Sequence, residues 1–398
     1  MQTHITLPSG LQGDADGFNR FSDATAYQFE VSPNYLELNS EEQTFPEVVA
    51  IQRLISLARR AVPIIVLWHK KVTERVFESP SLFPLLAVLL CLDNASHKIL
   101  GDTGTALEID VEPSRQTLYK YRLTADLFSD IQILICADSR GHGRPKSLYS
   151  KKASGLIARD DFESLVDRLL ASQTAPNVSA SQALFFSQAI ATIVAELFEN
   201  TDNHGRLGLN QVPFETNGIR GLIFRRVKIE QVESLTTANG DPTIGQAQVK
   251  KRLKSEVQAL EISVFDSGVG FFSAYTRRAF SPETTLDDEW DVLHKCLERH
   301  YDGTDSATQA SHRGMGLYEV LRALQSVHGV LEVRSGRAYG FRTFVKGEFK
   351  FQLEPAGSAL RPGMPKPVLL DVTRRFVTVP SPHELLVGAS VRVVIPLN

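Results

Sequence analysis

Cysteine is scarce: three in 398 residues, at Cys91, Cys136 and Cys296, dispersed and with no CxxC pair. That spacing argues against a disulfide framework and a zinc ribbon, and it fits a reducing cytosol. Long apolar runs are lacking as well. The longest, Leu82 to Leu92, contains Pro84 and falls far short of the ~20 residues a membrane-spanning helix needs, so it reads as buried core. Charge of one sign is also in short supply. A net charge of −3 gives no global attraction to nucleic acid or anionic membrane. Residues Met1 to Asp14 lack a basic and an apolar region, so no secretory signal is expected. There is no solenoid repeat, low-complexity tract or coiled-coil heptad.

What is present belongs to a globular chain. The hydrophobic share of 42% and charged share of 22% suffice for a packed core, and the length suggests two or three domains. Residues 1–30, rich in Gly, Asp, Ser and Thr, read as a flexible lead-in. Residues 31–160 read as an α/β domain: a strand at Tyr35 to Leu38, a helix from Pro46 to Arg60, and buried strands at Pro63 to Trp68 and Ile131 to Ala137. The polar loop Asp138 to Lys146 lacks the Gly-Lys-Ser/Thr ending of a Walker A loop and reads as solvated. Residues 161–180 read as a linker or connecting helix.

From residue 181 the pattern sharpens. A helix is expected to about Asn203, strands at 218–229 and 260–266, and a polar exposed loop at 230–255. A helix at 287–300 lies inside a long segment, and another follows at 317–327. A hairpin through Ser335 to Gly340 and a final strand at 390–395 complete the reading.

Three short motifs carry chemistry. Glu196 and Asn200 stand four apart on the first helix and share a face, which Asn203 extends by a turn. A carboxylate beside a neutral oxygen suits Mg²⁺-assisted phosphoryl transfer, with Asn200 as the metal ligand and Glu196 orienting or deprotonating water. Asp266 closes an apolar strand strip (Leu260, Ile262, Val264), where it can accept from adenine's exocyclic amine while Gly268 and Gly270 let backbone pass close. Gly314, Met315 and Gly316 precede a helix, so free amides face a phosphate position, with Arg313 just upstream. Each motif alone also describes something bland: an exposed helix face, an Asp-Ser-Gly turn, a tight turn before a core helix.

Taken together, the residues resemble the GHKL superfamily of gyrase, heat-shock chaperone ATPases, histidine kinases and mismatch-repair ATPases. Glu196-x-x-x-Asn200 is similar to its N-box, Asp266-x-Gly268-x-Gly270 to its first glycine box, and Gly314-x-Gly316-Leu317 to its second. Gly388 to Pro396 is similar to its closing strand. The resemblance covers about 181–398 and implies a Bergerat-type α/β sandwich, a mixed sheet with helices on one face, with a lid over about 271–313. It also implies bound ATP and Mg²⁺. His204-Gly205 after the N-box is closer to hydrolytic members and to anti-sigma-factor serine kinases than to histidine kinases, whose phosphoacceptor His-Glu or His-Asp dipeptide is missing upstream. The expectation is an ATPase that couples nucleotide state to a protein partner through the N-terminal half. The alternatives are a serine/threonine kinase of the anti-sigma type and a non-catalytic switch. Because many relatives dimerise, a homodimer is among the expectations.

Overall fold

Runs of β-branched and aromatic residues build two sheets, one in each half of the chain. The computed structural model describes residues 2–7, 9–12, 18–19, 21, 23–37, 47–60, 62–101, 104–120, 131–139, 143–149, 155–170, 180–230, 256–297, 316–344, 351–353, 365–367, 369–373 and 380–397. The fold is α/β.

The first sheet is mixed. β1 (Gln2–Leu7), β2 (Ala26–Val31), β3 (Ile64–His69) and β4 (Ala95–Leu100) run parallel, and β5 (Ala106–Glu108) closes the edge antiparallel to β4. Parallel neighbours need crossovers. α1 (Glu47–Ala58) links β2 to β3, while α2 (Lys70–Glu78) and α3 (Pro84–Cys91) link β3 to β4, and α4 (Glu112–Lys120) follows β5. Every residue of α3 is buried, as the apolar run at 82–92 requires.

The second sheet is antiparallel throughout. It contains β6 (Ile131–Ala137), β7 (Ile219–Glu230), β8 (Glu256–Asp266), β9 (Val330–Gly336) and β10 (Ala338–Thr343). β11 (Phe351–Leu353) and β12 (Pro365–Pro367) form a separate ribbon, and β13 (Leu370–Asp371) and β14 (Leu386–Pro396) rejoin the sheet. Its order is β13-β10-β9-β14-β8-β7-β6. One face packs on α5 (Arg159–Leu170), α6 (Ala180–Asn200), α8 (Leu286–Leu297) and α9 (Gly316–Ser326), and the short α7 (Gly270–Thr276) follows β8. Leu260, Ile262 and Val264 point into this core, whereas Phe265 points to the other, as strand alternation demands.

Several expectations need correction. Residues 1–30 are not merely a lead-in: β1 and β2 lie in the first sheet, with Ile5 and Leu7 fully buried. Two buried positions in a six-residue strand are too few for periodicity to announce. The strand expected at Tyr35 is a 3₁₀ turn, Pro33–Glu37, opened by proline. β6, expected in the N-terminal domain, pairs along its length with β7 of the second sheet. The mixed sheet is the N-terminal one; the C-terminal sheet expected to be mixed is antiparallel. Its second face is covered too, by α1 against β8 and β14 and by α3 against β6. The loop at 231–255 and the last part of the expected lid, 298–313, lie outside the described residues, whereas 271–297 of that lid carries α7 and α8. No helix among the described residues is long and apolar enough to cross a membrane.

The layer between α1 and the second sheet is charged as well as apolar. Arg53 of α1 donates from Nε to Glu384 Oε1 at 2.6 Å and from Nη1 to the Leu11 carbonyl at 2.7 Å, and Arg334 of β9 pairs with Glu384 at 3.0 Å. Deeper in, Arg225 and Arg392 both bond Glu261, whose carboxyl is held below the usual range by the two guanidinium groups in spite of its burial. Buried ions are tolerated only when paired this closely. Arg53→Ala, which leaves Glu384 with Arg334 alone, is expected to cost about 3 kcal/mol in urea unfolding; a loss well under ~1 kcal/mol would mean the pair is effectively solvated.

Candidate functional site

β8 ends at Asp266, and the chain turns there under tight control. Asp266 Oδ1 accepts from the Gly268 amide at 2.8 Å and from the Ala389 amide of β14 at 3.3 Å. Ser267 is fully buried and its Oγ accepts from the Ile219 amide at 2.8 Å. Gly388, at φ +77°, lets β14 pass so near that a Cβ would stand 1.9 Å from the Asp266 carbonyl oxygen; only glycine fits.

The first motif approaches from the helical side. α6 ends at Asn200 and continues as a π turn, Thr201–Gly205. Such wider turns are frequent at functional sites. A Cβ on Gly205 would lie 2.5 Å from Asp266 Cβ and 2.8 Å from its Oδ2, and one on Gly268 would lie 2.8 Å from Gly205 Cα. The end of the helix thus presses backbone directly against the carboxylate.

The third motif meets the other end of the same segment. A Cβ on Gly316, the first residue of α9, would lie 2.8 Å from Glu196 Oε2 and 3.2 Å from Asn200 Nδ2. Glu196, Asn200, Asp266, Gly268 and Gly316 are therefore brought around one stretch of backbone, 196–205.

Other expected residues fare differently. Asn203 and His204 are exposed in the π turn. Leu317 belongs to the apolar core beneath α6 rather than to an open surface. Gly270, at φ +75°, begins α7, and a Cβ there would meet Ser335 Oγ at 2.7 Å, so it serves the packing of α7 against β9. Arg313, Gly314 and Met315 lie outside the described residues.

Three residues escaped the sequence reading. Arg220 of β7 is fully buried and bonds Asp138 Oδ2 from Nε at 2.5 Å, Asp202 Oδ1 at 2.8 Å, and the Tyr149 hydroxyl. Tyr149 in turn donates to Asp202 Oδ1 at 2.8 Å. The loop carboxylate read as solvated is hence part of an internal clamp on the π turn. A lone arginine inside the apolar run Ile219 to Phe224 was the available signal, since a charge there must find buried partners. Arg159, at the start of α5, donates to Glu196 Oε1 at 2.5 Å.

The electrostatics follow from burial. Desolvation pushes Asp266 up to about 6, against the lowering by the Gly268 and Ala389 amides and the nearby Arg220 charge. Desolvation also raises Glu196, with the Arg159 charge and hydrogen bond opposing it and Glu199 and Glu319 adding to it. Chemically, a buried carboxylate can accept from a heterocyclic amine, and the absence of a side chain at Gly316 lets the start of α9 pack directly on Glu196 and Asn200.

No family model, no curated protein and no solved structure matches this chain.

The raised Asp266 has a measurable consequence. Its folded value lies above the ordinary 3.8, so its stabilising contribution is complete below the unfolded value and is lost as pH rises through about 6. Asp266→Asn, without nucleotide, is expected to gain stability relative to the wild type between about pH 4 and 7, by on the order of 2–3 kcal/mol. A difference that stays flat with pH would contradict this.

Proposed function

We propose that residues 180–397 form a GHKL-like site that binds Mg-ATP and hydrolyses it slowly. The observation that carries the reading is the double contact of one helical segment: Glu196 and Asn200 against Gly316, and Gly205 against Asp266 and Gly268. Gly316 and Glu196, more than a hundred residues apart in sequence, thus meet on the same helical segment whose end touches Asp266.

In this reading Asp266 accepts from the exocyclic amine of adenine. Phosphates lie toward the N-terminus of α9, where the first amides of the helix have no intrahelical acceptor. Asn200, whose side-chain amide stands beside Glu196 and Gly316, would be the protein ligand of a hydrated magnesium ion. Magnesium, when bound, offsets charge on the phosphate oxygens. Glu196 orients a water and takes its proton. The water oxygen bonds to the γ-phosphorus, and the bond from that phosphorus to the β,γ-bridging oxygen breaks. Its electron pair stays on ADP.

The N-terminal unit is the proposed coupling element to a protein partner. Support comes from β14, whose Ala389 amide contacts Asp266 while its Ser390 hydroxyl donates to Gln52 Oε1 of α1 at 2.8 Å. A cytosolic setting accords with Cys91, Cys136 and Cys296 forming no disulfide.

Thermal unfolding with millimolar Mg-ATP tests the reading. A ligand at ~100 times its dissociation constant adds roughly 2.7 kcal/mol, so a clear upward shift is expected for wild type and for Glu196→Ala, and none for Asp266→Asn. Phosphate release is expected to fall about 100-fold or more in Glu196→Ala. Equal shifts with and without the Asp266 carboxylate would remove the basis for the adenine assignment.

A further inference from the structure

The contact between α5 and the catalytic carboxylate is unusual in its economy. Glu196 has two oxygens with different neighbours: Oε1 receives Arg159 Nη2 at 2.5 Å, and Oε2 faces Gly316. Glu196 is mostly covered, with 15% of its side chain exposed, whereas Arg159 is 57% exposed. A surface arginine therefore reaches inward to one specific oxygen of a carboxylate that has lost most of its water.

Arg159 is fixed from behind. Its helix is nailed down by Phe162, Leu165 and Val166 in the core. The chain just before it is tied by the Ile157 amide to the Leu148 carbonyl at 3.0 Å and by a bridge between Tyr149 and Leu156. Tyr149 bonds Asp202 of the π turn that follows Asn200. The same short segment thus grips both ends of the helix stretch carrying Glu196 and Asn200.

Among the described residues, Glu199 on its own helix and Glu319 on α9, the latter paired with Arg322 at 3.7 Å, add negative charge near Glu196. Both oppose a further negative charge there, whereas the Arg159 guanidinium, bonded to Oε1, favours the ionised form a general base requires. Resting on the nucleotide reading above, we propose that Arg159 is a positioning residue for Glu196: by holding Oε1 it fixes the carboxylate rotamer and presents Oε2 as the oxygen that accepts the proton from water. Arg159 touches neither nucleotide nor water in this role. Its effect falls on turnover and spares binding, because Asp266 and the glycines are untouched by its removal.

The experiment compares full-length wild type, Arg159→Gln and Arg159→Lys in three readouts: melting shift with a non-hydrolysable ATP analogue and Mg²⁺, KM for ATP, and kcat for phosphate release. Arg159→Gln is expected to keep its melting shift and its KM within about twofold while kcat falls on the order of tenfold. Arg159→Lys, which retains the charge but not the guanidinium fork, is expected to recover part of that loss. An unchanged kcat in Arg159→Gln overturns the assignment, and a raised kcat overturns it in the opposite sense, because the pair would then restrain the base. Loss of the melting shift in Arg159→Gln also overturns it, since the residue would then serve binding. If wild type itself gives neither shift nor turnover, the nucleotide reading fails first and this assignment falls with it.

Discussion

A fully buried guanidinium, Arg220, is the constraint on which the site depends. An ion out of water costs several kcal/mol unless its partners are close and numerous. Arg220 meets this with Asp138 from the end of β6, Asp202 from the π turn and the hydroxyl of Tyr149, and it stacks near Phe198 of α6 at 5.3 Å from the ring centroid. Each partner belongs to a different element. Satisfying one charge therefore sets the position of the helix end relative to the sheet. That position brings Gly205 against Asp266, and burial there pushes the carboxylate up to about 6.

The opposite face of the same sheet is governed by a second set of buried charges. Arg53, Arg334 and Glu384 join α1 to β9 and to the chain entering β14. Ser56 Oγ accepts from the Val387 amide at 2.8 Å, two residues before Ala389 donates to Asp266. β14 consequently has a helix from the N-terminal half on one side and the candidate site at its end. The two halves are one continuous packing arrangement rather than beads on a linker, because the core containing β1–β4 and α1 also contains Ile133, Ile219, Phe265 and Leu386 of the second sheet.

Much of the second half was legible in the sequence because its elements are long and strongly periodic. β6 was readable to the residue, α6 and α9 to within a few, and the hairpin turn at Arg337 is flanked by the Ser335 to Ala338 pairing that its glycines suggested. The side-chain alternation that puts Asp266 on the face of Val264 held as well. What escaped were properties that only tertiary contact defines. The π turn is not encoded in hydrophobic spacing; Asp202 is drawn to a charge on another strand. Arg220 and Asp138 are 82 residues apart, so neither announces the other. Of the first sheet β3 was readable, whereas β1 and β2 bury alternate residues over only six positions each, within a stretch whose Gly, Asp, Ser and Thr read as a lead-in.

The central claim is that three distant motifs answer to a single ligand. Hydrogen exchange with and without Mg-ATP tests it most directly, since amides throughout one binding locus gain protection together. The account predicts simultaneous slowing at 196–205, 266–270 and 316–320, with the first sheet far from α1 unchanged. Protection confined to one of these segments, or none at saturating nucleotide, would contradict it.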